Sequence, residues 1–259
     1  MKHFYCRAGG KSNLADYIIS LFPKHDIYIE PFFGSGAVYF KKSKSKKEII
    51  NDIESELMHA HELLKEDFNL DKIKMFDNLE DLKLFFDSCD LKNLNNEDKL
   101  RYYITKYTCG FNSKPVEKIK QIYKVYNQKD KIKNLKLYKE RLKNTVIESC
   151  DYKEILKLYD SPNSLFYLDP PYEGSERIYD GYSKNIDYNE MSKILLNLKG
   201  YFILSINDSK NIRNIFKNFF IIEREIKGRG YRKENKKSDH PGIGRKKRKE
   251  LIITNFMYL

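Results

Sequence analysis

The four residues with the most specific chemistry are Asp169, Pro170, Pro171 and Tyr172. They follow Leu165-Phe166-Tyr167-Leu168, an apolar run with the length and composition of a buried strand. Proline has no N–H to donate and biases the residue before it toward extended backbone. The strand must therefore stop at Asp169 and leave its carboxylate at the C-terminal edge, where open α/β sheets bind ligands. An exocyclic amine on an aromatic base is a poor nucleophile because its lone pair is delocalised into the ring. Two acceptors aimed at its hydrogens localise that lone pair for attack on an electrophilic methyl group. The Asp169 carboxylate supplies one acceptor and the Pro170 carbonyl, fixed by the Pro171 ring, can supply the other. Tyr172 can stack on a base turned out of a helix. The bland alternative is a Pro-Pro turn with Asp169 as its cap.

Four other stretches must position this group. Gly9-Gly10-Lys11 permits a tight turn followed by a cation, and Ser12 can cap a helix over 13–21. Ile27–Glu30 reads as a strand ending in an acid. It leads into Pro31-Phe32-Phe33-Gly34-Ser35-Gly36-Ala37, with a helix expected from Val38 to Lys42. A lone Gly-x-Gly also occurs in dinucleotide sites. Here the third glycine of that fingerprint is missing, and the acid before the turn suits a cationic or amino-bearing ligand better than a pyrophosphate. A nicotinamide site would also leave Asp-Pro-Pro-Tyr without a task. A third strand, Glu48–Ile53, contains Asp52 at its end, where ribose hydroxyls are bound; Asp52 can also cap the helix expected over 54–64.

The βα alternation breaks between residues 61 and 145. Phe76, Leu79, Leu82, Phe85 and Phe86 carry helical spacing, and 99–107 reads as another helix. A Gly/Asn/Pro-punctuated loop holds Asn112, Ser113 and Lys114. Residues 118–143 are strongly basic with Tyr123, Tyr126 and Tyr138 interleaved, which points to an inserted DNA-reading subdomain. Alternation resumes with a strand at 146–152, a helix at 153–158, the central strand, a loop to Tyr188, a helix at 189–198 and a strand at 200–208. Residues 219–226 and 250–256 read as a closing antiparallel pair. Between them, 227–249 is Gly-containing and very basic and includes Arg245, Lys246 and Lys247, which suits a phosphate backbone better than nuclear targeting.

A net charge of +12 points to a polyanion, although a Lys-rich composition alone gives the same balance. The four cysteines are widely spaced, which suits reduced thiols in a cytoplasmic protein. His59 and His61 lack the further ligands of a metal site, so no metal is expected. No apolar run reaches membrane-spanning length and there is no signal h-region.

Arg-Ala-Gly-Gly-Lys (7–11), Glu-Pro-Phe-Phe-Gly-Ser-Gly-Ala (30–37), Asn-Asp-Ile-Glu (51–54) and Asp-Pro-Pro-Tyr (169–172) occur in this order. Together they resemble the Dam-type DNA adenine methyltransferases over nearly the whole chain. The resemblance implies an α/β fold, a Rossmann-like S-adenosylmethionine-dependent methyltransferase sheet with an inserted, mainly helical target-recognition subdomain. The catalytic domain would comprise 1–60 and 146–259, and the insertion 61–145. It implies S-adenosylmethionine as cofactor, double-stranded DNA as substrate and the adenine N6 amine as methyl acceptor. Asp169, Pro170 and Tyr172 match the catalytic motif, with Pro171 inside it. Gly34 and Gly36, with Glu30 and Phe32 beside them, match the cofactor loop. Asp52 matches the ribose acid and Lys11 the N-terminal lysine, preceded by Gly9 and Gly10. Arg7 stands where many relatives carry an aromatic residue, and Asp151 stands where a contact to the cofactor's adenine would fall. The recognition hairpin diverges around 110–127, so Asn112 and Lys114 are the candidates there and no target sequence follows. Cytosine N4 methylation, or a silent DNA-binding relative, are the competing readings. A cognate restriction endonuclease as partner, and a monomer or weak dimer, complete the expectation.

Overall fold

A computed structural model describes residues 4–5, 10–66, 73–110, 115–122, 134–173, 186–227 and 247–257. Four parallel strands form the middle and one flank of the sheet: β1 (Ile27–Glu30), β2 (Lys47–Asn51), β4 (Ser164–Leu168) and β5 (Tyr201–Asn207). Every residue of β4 is buried, as a strand covered on both faces requires. Short β3 (Val146–Glu148) adds to β2. The closing pair, β6 (Phe220–Lys227) and β7 (Lys247–Thr254), is antiparallel as expected. The seven strands among the described residues run in the order β3-β2-β1-β4-β5-β7-β6, with β7 antiparallel between β5 and β6. This is the Rossmann-like α/β architecture read from the sequence. The strand order reverses between β1 and β4, which opens a crevice at their C-terminal ends.

Side chains alternate across the strands and so feed two cores. Tyr28, Ile50, Leu165, Tyr167, Ile203 and Ile252 face one side. There they pack on α1 (Ala15–Ser20), α2 (Ser55–Leu63), α4 (Asn96–Thr108) and α5 (Leu135–Leu142). Ile29, Phe166, Leu168, Phe202 and Ile206 face the other side. They meet α6 (Tyr152–Tyr159), α7 (Tyr188–Leu196) and α8 (Lys210–Ile215). Leu82 and Phe86 of α3 (Leu79–Ser88) join Cys109, Val116 and Ile122 in a separate small core. The described part of 61–145 thus divides: α4 and α5 share the core of the sheet, whereas α3 packs on Cys109, Val116 and Ile122.

Three local expectations change. The helix expected from Val38 to Lys42 is a run of turns. Its bonds reach only Phe40 N–H to Gly36 and Lys41 and Lys42 N–H to Val38. So short a stretch cannot repay helix nucleation, and Lys42 is drawn instead to Glu48. Helix α1 starts at Ala15, with Leu14 rather than Ser12 as its N-cap residue. Tyr138, read among DNA-facing tyrosines, is buried at the edge of the Phe4 ring, 4.6 Å between centroids and 70° between planes. The signal for this was present: Leu135, Tyr138 and Leu142 hold the i, i+3, i+7 spacing of a core-facing stripe. Tyr123 and Tyr126 lie outside the described residues, as does 174–185, where the loop after Tyr172 was expected. Among the described residues no helix is long and apolar enough to cross a membrane.

Candidate active site

The Asp169 carboxylate emerges at the end of β4 on the same sheet face as Glu30 of neighbouring β1, because 165, 167 and 169 alternate with the inward pair 166 and 168. Lys11 Nζ donates to Asp169 Oδ1 and lies 3.5 Å from Glu250 Oε1 on β7, with only 6 % of Lys11 exposed. Burial pushes the Asp169 carboxyl up to about 6. Lys11 opposes this shift, and the charge of Glu250 adds to it. Burial works against the Lys11 charge, but Asp169, Tyr172 and Glu250 outweigh it and hold the ammonium protonated well beyond its usual range. Pro170 is buried, and the Pro171 carbonyl accepts from Tyr188 Oη, which pins the turn to α7. Lys11 Nζ sits 4.7 Å from the centroid of the Tyr172 ring, within cation–π range. Tyr167 is fully buried, and desolvation together with Asp169, Glu30 and Glu250 keeps its phenol protonated.

Glu30 is 2 % exposed and accepts from Tyr28 Oη at 2.7 Å. Burial, reinforced by Asp169 and opposed by the Tyr28 bond, lifts its carboxyl to about 8, so it is largely protonated at neutral pH. The chain then turns through Gly34 and Gly36, with φ of +48° and +63°, a region that favours glycine. Asp52 organises this turn: its two oxygens accept from Gly34 N at 2.8 Å and Glu54 N at 3.1 Å, so it ties the glycine loop to the approach to α2, whose N-cap residue is Glu54 rather than Asp52. A side chain at Gly34 would meet no atom within 4 Å, so open space borders the loop there. At Gly36 a Cβ would fall 2.4 Å from the Phe33 ring, itself wedged against His61 and Tyr39. Gly36→Ala combines that clash with left-handed backbone, so we expect a loss of about 2 kcal/mol, measurable by denaturant unfolding; an unchanged midpoint would contradict the packing described.

Of the residues read from the sequence, Lys11, Asp169 and Tyr172 meet in one buried polar cluster, Glu30 on the same sheet face is near enough to Asp169 for their charges to interact, and Gly34, Gly36 and Asp52 form the glycine loop. Gly10 immediately precedes Lys11. Phe32 packs on Tyr152, 5.1 Å between centroids. Asp151 is the N-cap of α6 and accepts from Lys153 N at 2.9 Å, a structural task the sequence reading left out. Arg7, Gly9, Asn112, Ser113, Lys114, Arg245 and Lys246 lie outside the described residues. Lys247 begins β7 opposite Lys227.

Residues 8–228 match the family described as MethyltransfD12, D12 class N6 adenine-specific DNA methyltransferase. The chain belongs to this family. It is therefore an enzyme of the DNA adenine methyltransferase class. Relatives of this D12-class chain include Type II methyltransferase M.MjaIII of Methanocaldococcus jannaschii, 28 % identical over 76 % of this chain and 78 % of that protein. The DNA adenine methylase of Haemophilus influenzae is 30 % identical over 71 % of this chain and 70 % of its own. Type II methyltransferase M.CviBI of Paramecium bursaria Chlorella virus NC1A is 26 % identical over 88 % and 92 %.

Two residues of this D12-class site escaped the sequence reading. Asn51, fully buried at the end of β2, donates to the Pro31 and Cys150 carbonyls at 2.9 and 3.1 Å and accepts from Cys150 N at 2.9 Å. It staples the loops after β1 and β3 together; the readable signal was an amide at the end of an apolar strand. Glu250 was concealed by the five basic residues before it. Its signal was its register with Ile252 and Thr254 on one face of a strand.

Proposed function

We propose that this chain transfers a methyl group from S-adenosylmethionine to the N6 amine of an adenine turned out of duplex DNA. S-adenosylmethionine supplies the electrophile, a methyl group on a sulfonium. The residues present suit it: there is open space beside Gly34, an Asp52 carboxylate for hydroxyls, and the Asp169 carboxylate for a cationic ligand, with the largely protonated Glu30 carboxyl beside it as a neutral hydrogen-bonding group. Asp169 and the Pro170 carbonyl accept from the two amine hydrogens and aim the nitrogen lone pair at the methyl carbon. Bound S-adenosylmethionine would supply the methyl carbon and keep the electron pair of the C–S bond it gives up, so the chain itself has only to orient the amine and take its surplus proton. The surplus amine proton leaves through Asp169, whose raised pKa suits it to hold a proton briefly. Tyr172 stacks on the base, with the Lys11 ammonium 4.7 Å from its ring centroid. This is catalysis by positioning and electrostatics, without a covalent enzyme intermediate.

The observation that carries this reading is the Asp169 carboxylate, held beside Lys11 at the switch point of the sheet. Labelled methyl transfer to duplex DNA, followed by nucleoside analysis, tests it. N6-methyladenine is the expected product; N4-methylcytosine, or no transfer, would overturn it. Asp169 must be ionised to accept from the amine, so kcat should fall as pH drops through about 6. A kcat flat from pH 8 to pH 5 would remove Asp169 from this role.

Target reading is assigned to the part of 61–145 that lies outside the shared core, around α3 and 109–122, with Asn112, Ser113 and Lys114 as base or phosphate contacts. Arg245, Lys246 and Lys247 are assigned to the phosphate backbone.

A further inference from the structure

We propose that Glu250, supported by Ser205, is a positioning residue for methyl transfer: it fixes the direction of the Tyr172 ring and holds Lys11 between two carboxylates. This rests on the reading of Tyr172 as the stacking residue. Glu250 lies on β7, two strands from the Asp-Pro-Pro-Tyr turn in the order β4-β5-β7, and is 1 % exposed. Both its oxygens accept from Tyr172 Oη at 2.6 Å. One of them also accepts from Ser205 Oγ on β5 at 2.7 Å, and Lys11 Nζ stands 3.5 Å away. A buried carboxylate is costly unless its lone pairs are filled, and here a phenol, a hydroxyl and an ammonium fill them. The geometry ties Tyr172 at two points, its hydroxyl to Glu250 and its ring to the Lys11 ammonium. A stacking plate held in this way does not have to be ordered by the incoming base, so the orienting cost is met in the free enzyme.

Glu250→Gln keeps the size and one acceptor oxygen but loses the charge. In the unbound protein, the Tyr172 Cζ signal of ¹³C-tyrosine-labelled enzyme, assigned by its loss in Tyr172→Phe, should lie downfield relative to Glu250→Gln. That is the shift of a phenol donating to a carboxylate. An identical signal in the two proteins overturns the positioning, whether or not the enzyme methylates DNA. In turnover, Glu250→Gln should lower kcat at least tenfold while the dissociation constant for S-adenosylmethionine stays within twofold. The acid limb of the kcat profile should move to lower pH, because the charge of Glu250 helps to raise Asp169. In the Tyr172→Phe background the same substitution should cost much less. Equal losses in both backgrounds, or an unmoved acid limb, would overturn the proposal. Ser205→Ala, a smaller change, should reproduce the direction at lower amplitude; no effect on either the signal or kcat would remove Ser205 from the arrangement. Absence of methyl transfer by the unsubstituted enzyme would instead overturn the proposed function, and the Cζ comparison would still decide the role of Glu250.

Discussion

Asp169→Asn should lower kcat by on the order of 10³-fold and leave the fold intact. The substitution keeps shape but replaces an anionic acceptor with an amide that presents N–H groups to the amine it must orient. Removing one preorganised charge-stabilising group costs about 10²–10³ in comparable sites, and here the replacement also points a donor at a donor. Stability should hold or rise slightly, because burial already disfavours the Asp169 charge and Lys11 retains Glu250 at 3.5 Å. The loss should appear in kcat, with the affinity for S-adenosylmethionine changed little, as expected for an interaction that matters most in the transition state. A kcat within tenfold of the unsubstituted enzyme would sink the role given to this carboxylate.

Glu48→Ala should cost about 3–5 kcal/mol of stability, the range for removing one partner of a buried ion pair. Glu48, on β2, accepts from Arg141 Nη2 at 3.0 Å and from Arg141 Nη1 and Lys42 Nζ. Arg141 Nη2 also donates to the Tyr39 carbonyl at 2.9 Å, and the guanidinium stacks 3.7 Å from the Tyr39 ring centroid. Removal of the acid strands two buried cations side by side. Burial opposes the Glu48 charge, but its bonds to Arg141 and Lys42 win and hold its carboxyl below the usual range. A folded pKa below the unfolded one means that this stabilisation is present above the unfolded value near 4.5 and lost as pH falls through the folded value. Thermal unfolding at pH 7 should therefore show a drop of roughly 10 °C for Glu48→Ala, with the difference shrinking as pH falls below the unfolded value near 4.5. A drop of under 2 °C at pH 7 would contradict this account. Because Arg141 closes α5 just before β3, the cluster fixes where the chain returns from 61–145 to the sheet.

The strand that ends at Asp169, the acid at the end of β1 and the closing antiparallel pair were legible because their signals are local. An apolar run stopped by Asp-Pro-Pro, or by Glu-Pro, has few alternatives. What depended on distant partners was harder to see. Nothing adjacent to Glu250 announces that Tyr172, 78 positions earlier, donates to it. The basic residues of α5 suggested a DNA face, yet Arg141 is buried and paired with Glu48, 93 positions away. Charge counts along a helix do not tell a solvated face from an internal ion cluster; apolar spacing does, and Leu135, Tyr138 and Leu142, which share that spacing, are all buried.

The place of β7 between β5 and β6 has a consequence for biosynthesis. Chains emerge from the ribosome N-terminus first. By the time residue 227 is outside, Lys11, the Asp169 turn and both cores apart from Leu251, Ile252 and Ile253 are available, but β5 still has an open edge and β6 has no neighbour to pair with. Only the arrival of Leu251–Thr254 closes that edge, and the same event delivers Glu250 to Lys11 and Tyr172. A nascent chain stalled before this point would lack the last core strand and the Glu250 contacts together, so completion of the cores and of the polar cluster would coincide in one late strand insertion.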